Sequence, residues 1–274
     1  MKRHYLTLLS AAAITFAFAL SSCVGQLERQ FPWEESIEPV VPQKDTSERN
    51  FLVLDFTATW CVNCPKMATA IAELSDSCSG VIPIAVHFAD EMACEASDYL
   101  VDKFSISSFP TAIINFDPEL RTSVSSVDIL ASLAERSLSG LSEDCDITAQ
   151  VSEDNGTYKI EVTVDYLSAG TYSIGAMVLE DGIKVPQIGG GSEYIHDNVL
   201  RAFLQENYSG DPLGTKRPGD KDSVEFCFTP QSQWNADALK VVVYIISDES
   251  SGDYSAWMER VICSQNNMVY EENN

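Results

Sequence analysis

Residues 54 to 65, Leu-Asp-Phe-Thr-Ala-Thr-Trp-Cys-Val-Asn-Cys-Pro, place Cys61 and Cys64 where one periodicity gives way to another. Before the pair, Phe51-Leu-Val-Leu-Asp-Phe56 is apolar apart from Asp55 and reads as a buried strand. After it, Met67, Ala70, Ile71 and Leu74 recur at helical spacing. The cysteines therefore occupy a strand-to-helix turn. Such a turn favours a thiolate, because the first amides of a helix lack intrahelical acceptors and the dipole is positive there. The feature predicts disulfide chemistry, with Cys61 as the more exposed, attacking sulfur and Cys64, one turn further in, as the resolving one.

Further along, Phe109-Pro110-Thr111 precedes another apolar run, Ala112-Ile-Ile-Asn-Phe116, the pattern of a cis-proline entering a strand. With it, Asp55, Trp60, Cys61, Cys64 and Pro110 resemble the active-site set of the thioredoxin superfamily: buried aspartate, tryptophan, both cysteines and cis-proline. The resemblance covers residues 48 to 140. It extends to the order of elements, with strand 51–57, helix 62–76, strand 81–88, helix 96–104, strands near 111–116 and 121–125, and helix 127–138. Burial should raise the pKa of Asp55, and the resemblance implies that this group accepts the proton of Cys64 during resolution. It also implies that Trp60 packs the rim and that Phe109, beside Pro110, offers its backbone to a substrate strand. The chain departs from the familiar pattern at Val62-Asn63, which lacks the histidine of strongly oxidising relatives, and at Pro65.

Lys2 and Arg3 followed by an apolar stretch from Leu6 to Leu20 read as a secretory signal over residues 1–22, too short to span a membrane comfortably. It ends in Leu20-Ser-Ser-Cys23, which resembles a bacterial lipobox and implies that Cys23 carries a lipid anchor. Val24 after it resembles the sorting pattern for the outer membrane. Residues 23–48, broken by Pro32, Pro39 and Pro42, read as a tether with a reach of roughly 25–30 Å. Export makes disulfides persistent. Even so, Cys78, Cys94, Cys145, Cys227 and Cys263 are odd in number and their pairing is open. The helix after Cys61 carries the chain about 20 Å to Cys78 before a strand returns it to Cys94, which argues against a bond between those two. Cys94 then lies at the active-site end, as a free surface or half-buried thiol or as a third redox sulfur. A lone Cys-x-x-Cys and only His4, His87 and His196 argue against a zinc site; no metal and no cofactor is expected. The formal charge of -24, or -26 once Lys2 and Arg3 leave with the signal, excludes nucleic acid as a partner.

After Ser137-Leu-Ser-Gly-Leu-Ser142 the pattern changes to strands alone. Tyr158, Ile160, Val162, Val164 and Tyr166 alternate with polar residues, and further strands are expected at 172–180, 222–229, 240–247 and 257–264. The expected architecture is thus an α/β thioredoxin-like domain over 49–140 followed by an antiparallel β-sandwich domain over 143–265, with a tail over 266–274. An irregular segment from Pro186 to Arg201 contains a glycine run that reads as leading into a short helix. Gly189 to Gly191 lack the Lys-Ser/Thr of a phosphate loop, and His196 and Arg201 read as satisfied surface residues. The Trp-Cys-x-Asn-Cys-Pro box and His196-x-x-Val-Leu-Arg201 resemble outer-membrane-associated lipoproteins named after a twenty-eight-kilodalton outer membrane protein. The expected function is a membrane-tethered thiol-disulfide oxidoreductase acting on thiols or disulfides of exported proteins, recharged by an unidentified redox partner. The alternative is a binding lipoprotein built on an inactive thioredoxin-like scaffold.

Overall fold

Phe51–Thr57, buried along its whole length, is the first strand (β1) of the computed structural model, which describes residues 50–78, 80–138, 145–248 and 259–267. The expected signal segment, Cys23, the tether and residues 268–274 of the tail lie outside the described residues. β1 leads through the cysteine turn into helix α1 (Cys64–Ser77), whose buried stripe is Cys64, Met67, Ala70, Ile71 and Leu74. Then come β2 (Val81–His87), α2 (Glu95–Lys103), β3 (Thr111–Ile114), β4 (Arg121–Thr122) and α3 (Val127–Leu138). β1 pairs in parallel with β2 and antiparallel with β3, which pairs with β4. This is the thioredoxin-like half. Period-2 alternation splits β1 between two cores: Phe51 and Val53 face α1 and α3, while Leu52, Leu54 and Phe56 face α2.

Apart from a single 3-10 turn at Ala236–Ala238, the regular elements of the rest are strands among the described residues: β5 (Cys145–Asp154), β6 (Thr157–Tyr166), β7 (Gly170–Glu180), β8 (Ile183–Lys184), β9 (Ile195–His196), β10 (Val199–Phe203), β11 (Asp211–Lys216), β12 (Lys221–Phe228), β13 (Leu239–Asp248) and β14 (Glu259–Asn267). β12, β6 and β5 form one antiparallel sheet. Ile160, Val162 and Val164 of that sheet pack on Ile174, Val241 and Val243 of β7 and β13, which closes the β-sandwich. β13 does not alternate. Val241, Val243 and Ile245 enter the sandwich core, whereas Val242, Tyr244 and Ile246 enter the same core as Leu54, Ile84 and Leu100 of the thioredoxin-like half. An uninterrupted apolar run is what a strand covered on both faces requires.

The two element patterns meet near 138–145, but the hydrogen bonding runs across that boundary. One sheet has the order β14-β13-β7-β10-β2-β1-β3-β4, with β11 also on β7. β10 is the joint: it pairs antiparallel with β7 and parallel with β2, and the Ala85 amide donates to Asn198 O at 2.8 Å. This corrects the expected short helix after the glycine run. Asn198 takes a positive φ of 57°, and Val199 and Leu200 then become fully buried between two partner strands, so pairing decides a segment with no helical stripe of its own. β5 and β11 were not expected, and the last strand runs to Asn267, two residues into the predicted tail.

Arg201 is also not a surface residue. Its Nε donates to Glu180 Oε2 at 2.7 Å, and the other carboxylate oxygen accepts from the Asn235 amide at 2.9 Å, with Glu180 only 3% exposed. Removing the cation leaves a buried, uncompensated carboxylate. Arg201→Ala should therefore lower stability by about 3 kcal/mol. Urea denaturation should show a lower midpoint at unchanged slope; an unchanged midpoint would mean the pair contributes nothing.

Candidate active site

Cys61 and Cys64 are joined by a disulfide with an S–S distance of 2.07 Å. Both sit at the mouth of α1, and Cys61 is 6% exposed against 1% for Cys64. The helix begins at Cys64 rather than at the expected residue 62, so Cys61 lies in the turn just before it. Pro65 is responsible for part of the difference: it has no amide to give. The Cys64 amide donates to Cys61 O and the Lys66 amide to Asn63 O, at 3.3 and 3.1 Å. Among the described residues, no backbone carbonyl accepts from the amides of Val62 or Asn63. These two amides and the helix dipole are thus what the turn has free to stabilise a thiolate at Cys61.

The rim is aromatic. Trp60 is half exposed, donates through Nε1 to Phe88 O at 3.2 Å, and meets the Phe109 ring edge-on at 5.4 Å. Phe109 stacks on Phe88 and packs against Ala58, Cys61 and Cys64. The Phe109–Pro110 peptide is cis, and among the described residues no backbone group bonds the Phe109 N–H or C=O. The predicted residues Asp55, Trp60, Cys61, Cys64, Phe109 and Pro110 therefore gather at one end of the thioredoxin-like half. Asp55 lies on β1 opposite Ala85 and Ala112, on the α1 face, and is 6% exposed. Its Oδ1 has no hydrogen-bond partner in the protein, and burial pushes its pKa up to about 7.

Four features of this site were not anticipated. Asp90, after β2, accepts through Oδ2 from the Thr59 amide and from His87 Nδ1, both at 2.8 Å, and through Oδ1 from the Met92 amide at 2.9 Å. Burial pushes this carboxyl up, but the His87 hydrogen bond and charge and the two amides outweigh it and hold the pKa below the ordinary range. Asp90 thereby ties the residue before Trp60 to the end of β2. The second feature is Gln187, whose Nε2 donates to Ala58 O at 3.1 Å and to Cys61 O at 2.9 Å. Ile188 adds a backbone bond, its amide donating to Thr59 O at 2.8 Å. Gly189 is the third: at φ +85° it approaches so closely that a Cβ there would stand 2.4 Å from Val62 O. The glycine run is a close-packing device, where the sequence offered only an irregular segment.

Tyr194 is the fourth. It and His196 lean over the same region, with ring centroids 4.7 Å apart, and His196 lies 5.1 Å from His87. His196 is buried, contrary to its reading as a surface residue. Burial first, and then His87, lower its pKa. Cys94 is half-buried at the start of α2, and its thiol donates to Leu200 O at 3.3 Å on β10. Cys78 and Cys94 are both free, as the path of the chain predicts. No described helix is long and apolar enough to cross a membrane.

Comparison with known proteins matches both halves. Residues 97–261 match the family model described as outer membrane protein Omp28, and residues 40–135 match the thioredoxin family. The solved structure described as HBP35 of Porphyromonas gingivalis superposes with a TM-score of 0.64 at 19% identity, over 80% of this chain and 75% of that one, which shows a shared fold. A β-glucosidase from Listeria innocua in complex with isofagomine is matched at 13% identity over 45% of this chain and 16% of its own. Its TM-score of 0.21 carries no argument.

The buried Asp55 makes stability depend on pH. Its folded pKa of about 7 lies above the ordinary 3.8, so the folded state holds the proton more tightly. The stabilisation is complete below about pH 4 and is lost as pH rises towards 7. Asp55→Asn removes this dependence. The stability of the variant relative to the parent should rise between pH 4 and 7 by on the order of 4 kcal/mol. Urea denaturation of the oxidised protein at several pH values checks it; a pH-independent difference would mean that Asp55 is not buried as an acid.

Proposed function

Because this chain belongs to the outer membrane protein Omp28 family and carries a thioredoxin-type disulfide turn, we propose that it is a thiol-disulfide oxidoreductase acting on exported proteins. It works at the outer membrane, held there by a lipid on Cys23. The observation that carries this reading is the juxtaposition of the Cys61–Cys64 disulfide with the unbonded Phe109 backbone and the buried, raised Asp55. A client strand laid along Phe109 brings its sulfur to Cys61. In the reducing direction the Cys61 thiolate attacks one client sulfur, forming a mixed disulfide and expelling the other as thiolate. Cys64 gives its proton to Asp55 and attacks Cys61 Sγ, which closes the internal disulfide and frees the client thiol. Two electrons pass to the client, and a separate dithiol partner returns them. The oxidising direction is the same sequence reversed.

A second reading has an observation of its own. Gln187, Ile188 and Gly189 cover one side of the disulfide turn and leave Cys61 only 6% exposed, which suits a binding lipoprotein on an inert scaffold. Trapping separates the two. Expressed in the exporting cell, a Cys64→Ala variant should accumulate proteins linked to Cys61, visible on non-reducing gels and released by dithiothreitol. No adducts, with Cys61 reduced and accessible to alkylation, would leave the scaffold reading standing.

A further inference from the structure

The disulfide chemistry leaves one buried polar atom without a role, the Nε2 of His87, a residue that lines the same cavity as Asp55. Neither Asp55 Oδ1 nor His87 Nε2 has a hydrogen-bond partner in the protein. Both residues line a cavity of about 460 Å³ between β1, β2, α1 and the segment from Gln187 to Asn198, with Cys64 on its wall. A cavity of this size with polar atoms in its lining holds water. Strand register sets the span. Asp55 lies opposite Ala85 and His87 opposite Thr57, so the two side chains share a sheet face at a Cα separation of roughly 8 Å. One or two waters bridge such a gap.

Asp90 determines what His87 presents. Its carboxylate accepts from Nδ1 at 2.8 Å, so a neutral His87 keeps its proton there and leaves Nε2 as the acceptor nitrogen. This is the arrangement by which a carboxylate orients an imidazole as a proton acceptor. Other titratable groups on the cavity do not replace it. From α1 come Cys64 and the exposed Asp76, which with the exposed Asp197 marks the mouth. From the second half come Tyr194, its pKa raised by burial and then by the charges of Asp55 and Asp197, and His196, whose Nε2 faces Val185 O at 3.2 Å.

We propose that the Asp90–His87 pair is the proton outlet of the disulfide site, with the second half of the chain walling the path. When Cys64 attacks the mixed disulfide, its proton goes to Asp55 and on through cavity water to His87 Nε2, which hands it back to that water for release at the mouth beside Asp76 and Asp197. When the internal disulfide is opened, one proton returns by the same route to the departing Cys64 thiolate. His87 acts through Asp55 and is a positioning residue in this scheme. The inference rests on the oxidoreductase reading.

The test uses full-length oxidised protein and follows opening of the Cys61–Cys64 bond by dithiothreitol with acid quenching, alkylation and mass spectrometry. Rates are divided by the concentration of dithiothreitol thiolate at each pH. His87→Asn keeps a donor for Asp90 and lacks Nε2. It should slow opening at least about tenfold near neutral pH and flatten the profile, against the roughly hundredfold that a directly acting acid supplies. An unchanged rate and profile overturn the proposal and leave the redox reading intact; a parent disulfide that dithiothreitol does not open overturns both. If the variant does not fold, nitrogen NMR of the parent decides. The His87 Nε2 resonance should move when the disulfide is reduced, and an identical resonance in both states overturns the outlet.

Discussion

β10 holds the molecule together. By adding to the edge of β2 on one side and to β7 on the other, it turns what would be two modules on a linker into one sheet with a continuous core. An edge strand left open exposes a row of unpaired amides and carbonyls; here β10 pairs with that edge at its middle, Val199 opposite Ala85. The same joint bears on the segment just before it in sequence. Once Val199 is registered against Ala85, the segment from Ile183 to Asn198 has nowhere to lie except over the end of α1, where Gln187 and Ile188 meet the carbonyls of the cysteine turn.

The consequence for chemistry is that the site belongs to both halves. The thioredoxin-like half contributes the sulfurs, Asp55, the aromatic rim and the Asp90–His87 pair; the second half contributes the clasp at Gln187 and the rings of Tyr194 and His196. Their electrostatic roles differ. Asp90 is satisfied by two amides and an imidazole and stays ionised, while Asp55 is buried without donors and holds its proton near neutral pH. Two carboxyls, one on β1 and one in the loop after β2, are thus driven apart by their surroundings, which separates a structural anchor from a titrating group. That the Omp28 match begins at residue 97, inside the thioredoxin-like half, agrees with a unit that does not divide at the sequence boundary.

Much of this was legible in the residues. The apolar run of β1, the helical stripe of α1 and Pro110 ahead of β3 are local patterns that specified the elements of the thioredoxin-like half, while its expected site residues came from the resemblance to the thioredoxin superfamily. The alternation in β6 likewise announced a half-buried strand. β5 was not expected, although Asn155-Gly156 is the pair of a two-residue hairpin turn and both residues take a positive φ. β10 was not, because Asn198 to Phe203 favours neither state until two distant strands bracket it. Gln187 was beyond reach for the same reason: its acceptor at Cys61 is 126 residues away, and nothing within its own neighbourhood marks it. His87 and Arg201 carried their side-chain types openly, but burial and partners decide what those types do.

The central claim, that the second half is built into the disulfide site, is tested most directly by amide hydrogen exchange in the oxidised protein. The amide of Ile188, bonded to Thr59 O, and that of Ala85, bonded to Asn198 O, report the clasp and the joint. Both should exchange only with global unfolding, at the same rate as the amides in the middle of β1. Fast exchange at these two positions while β1 stays protected would contradict the account.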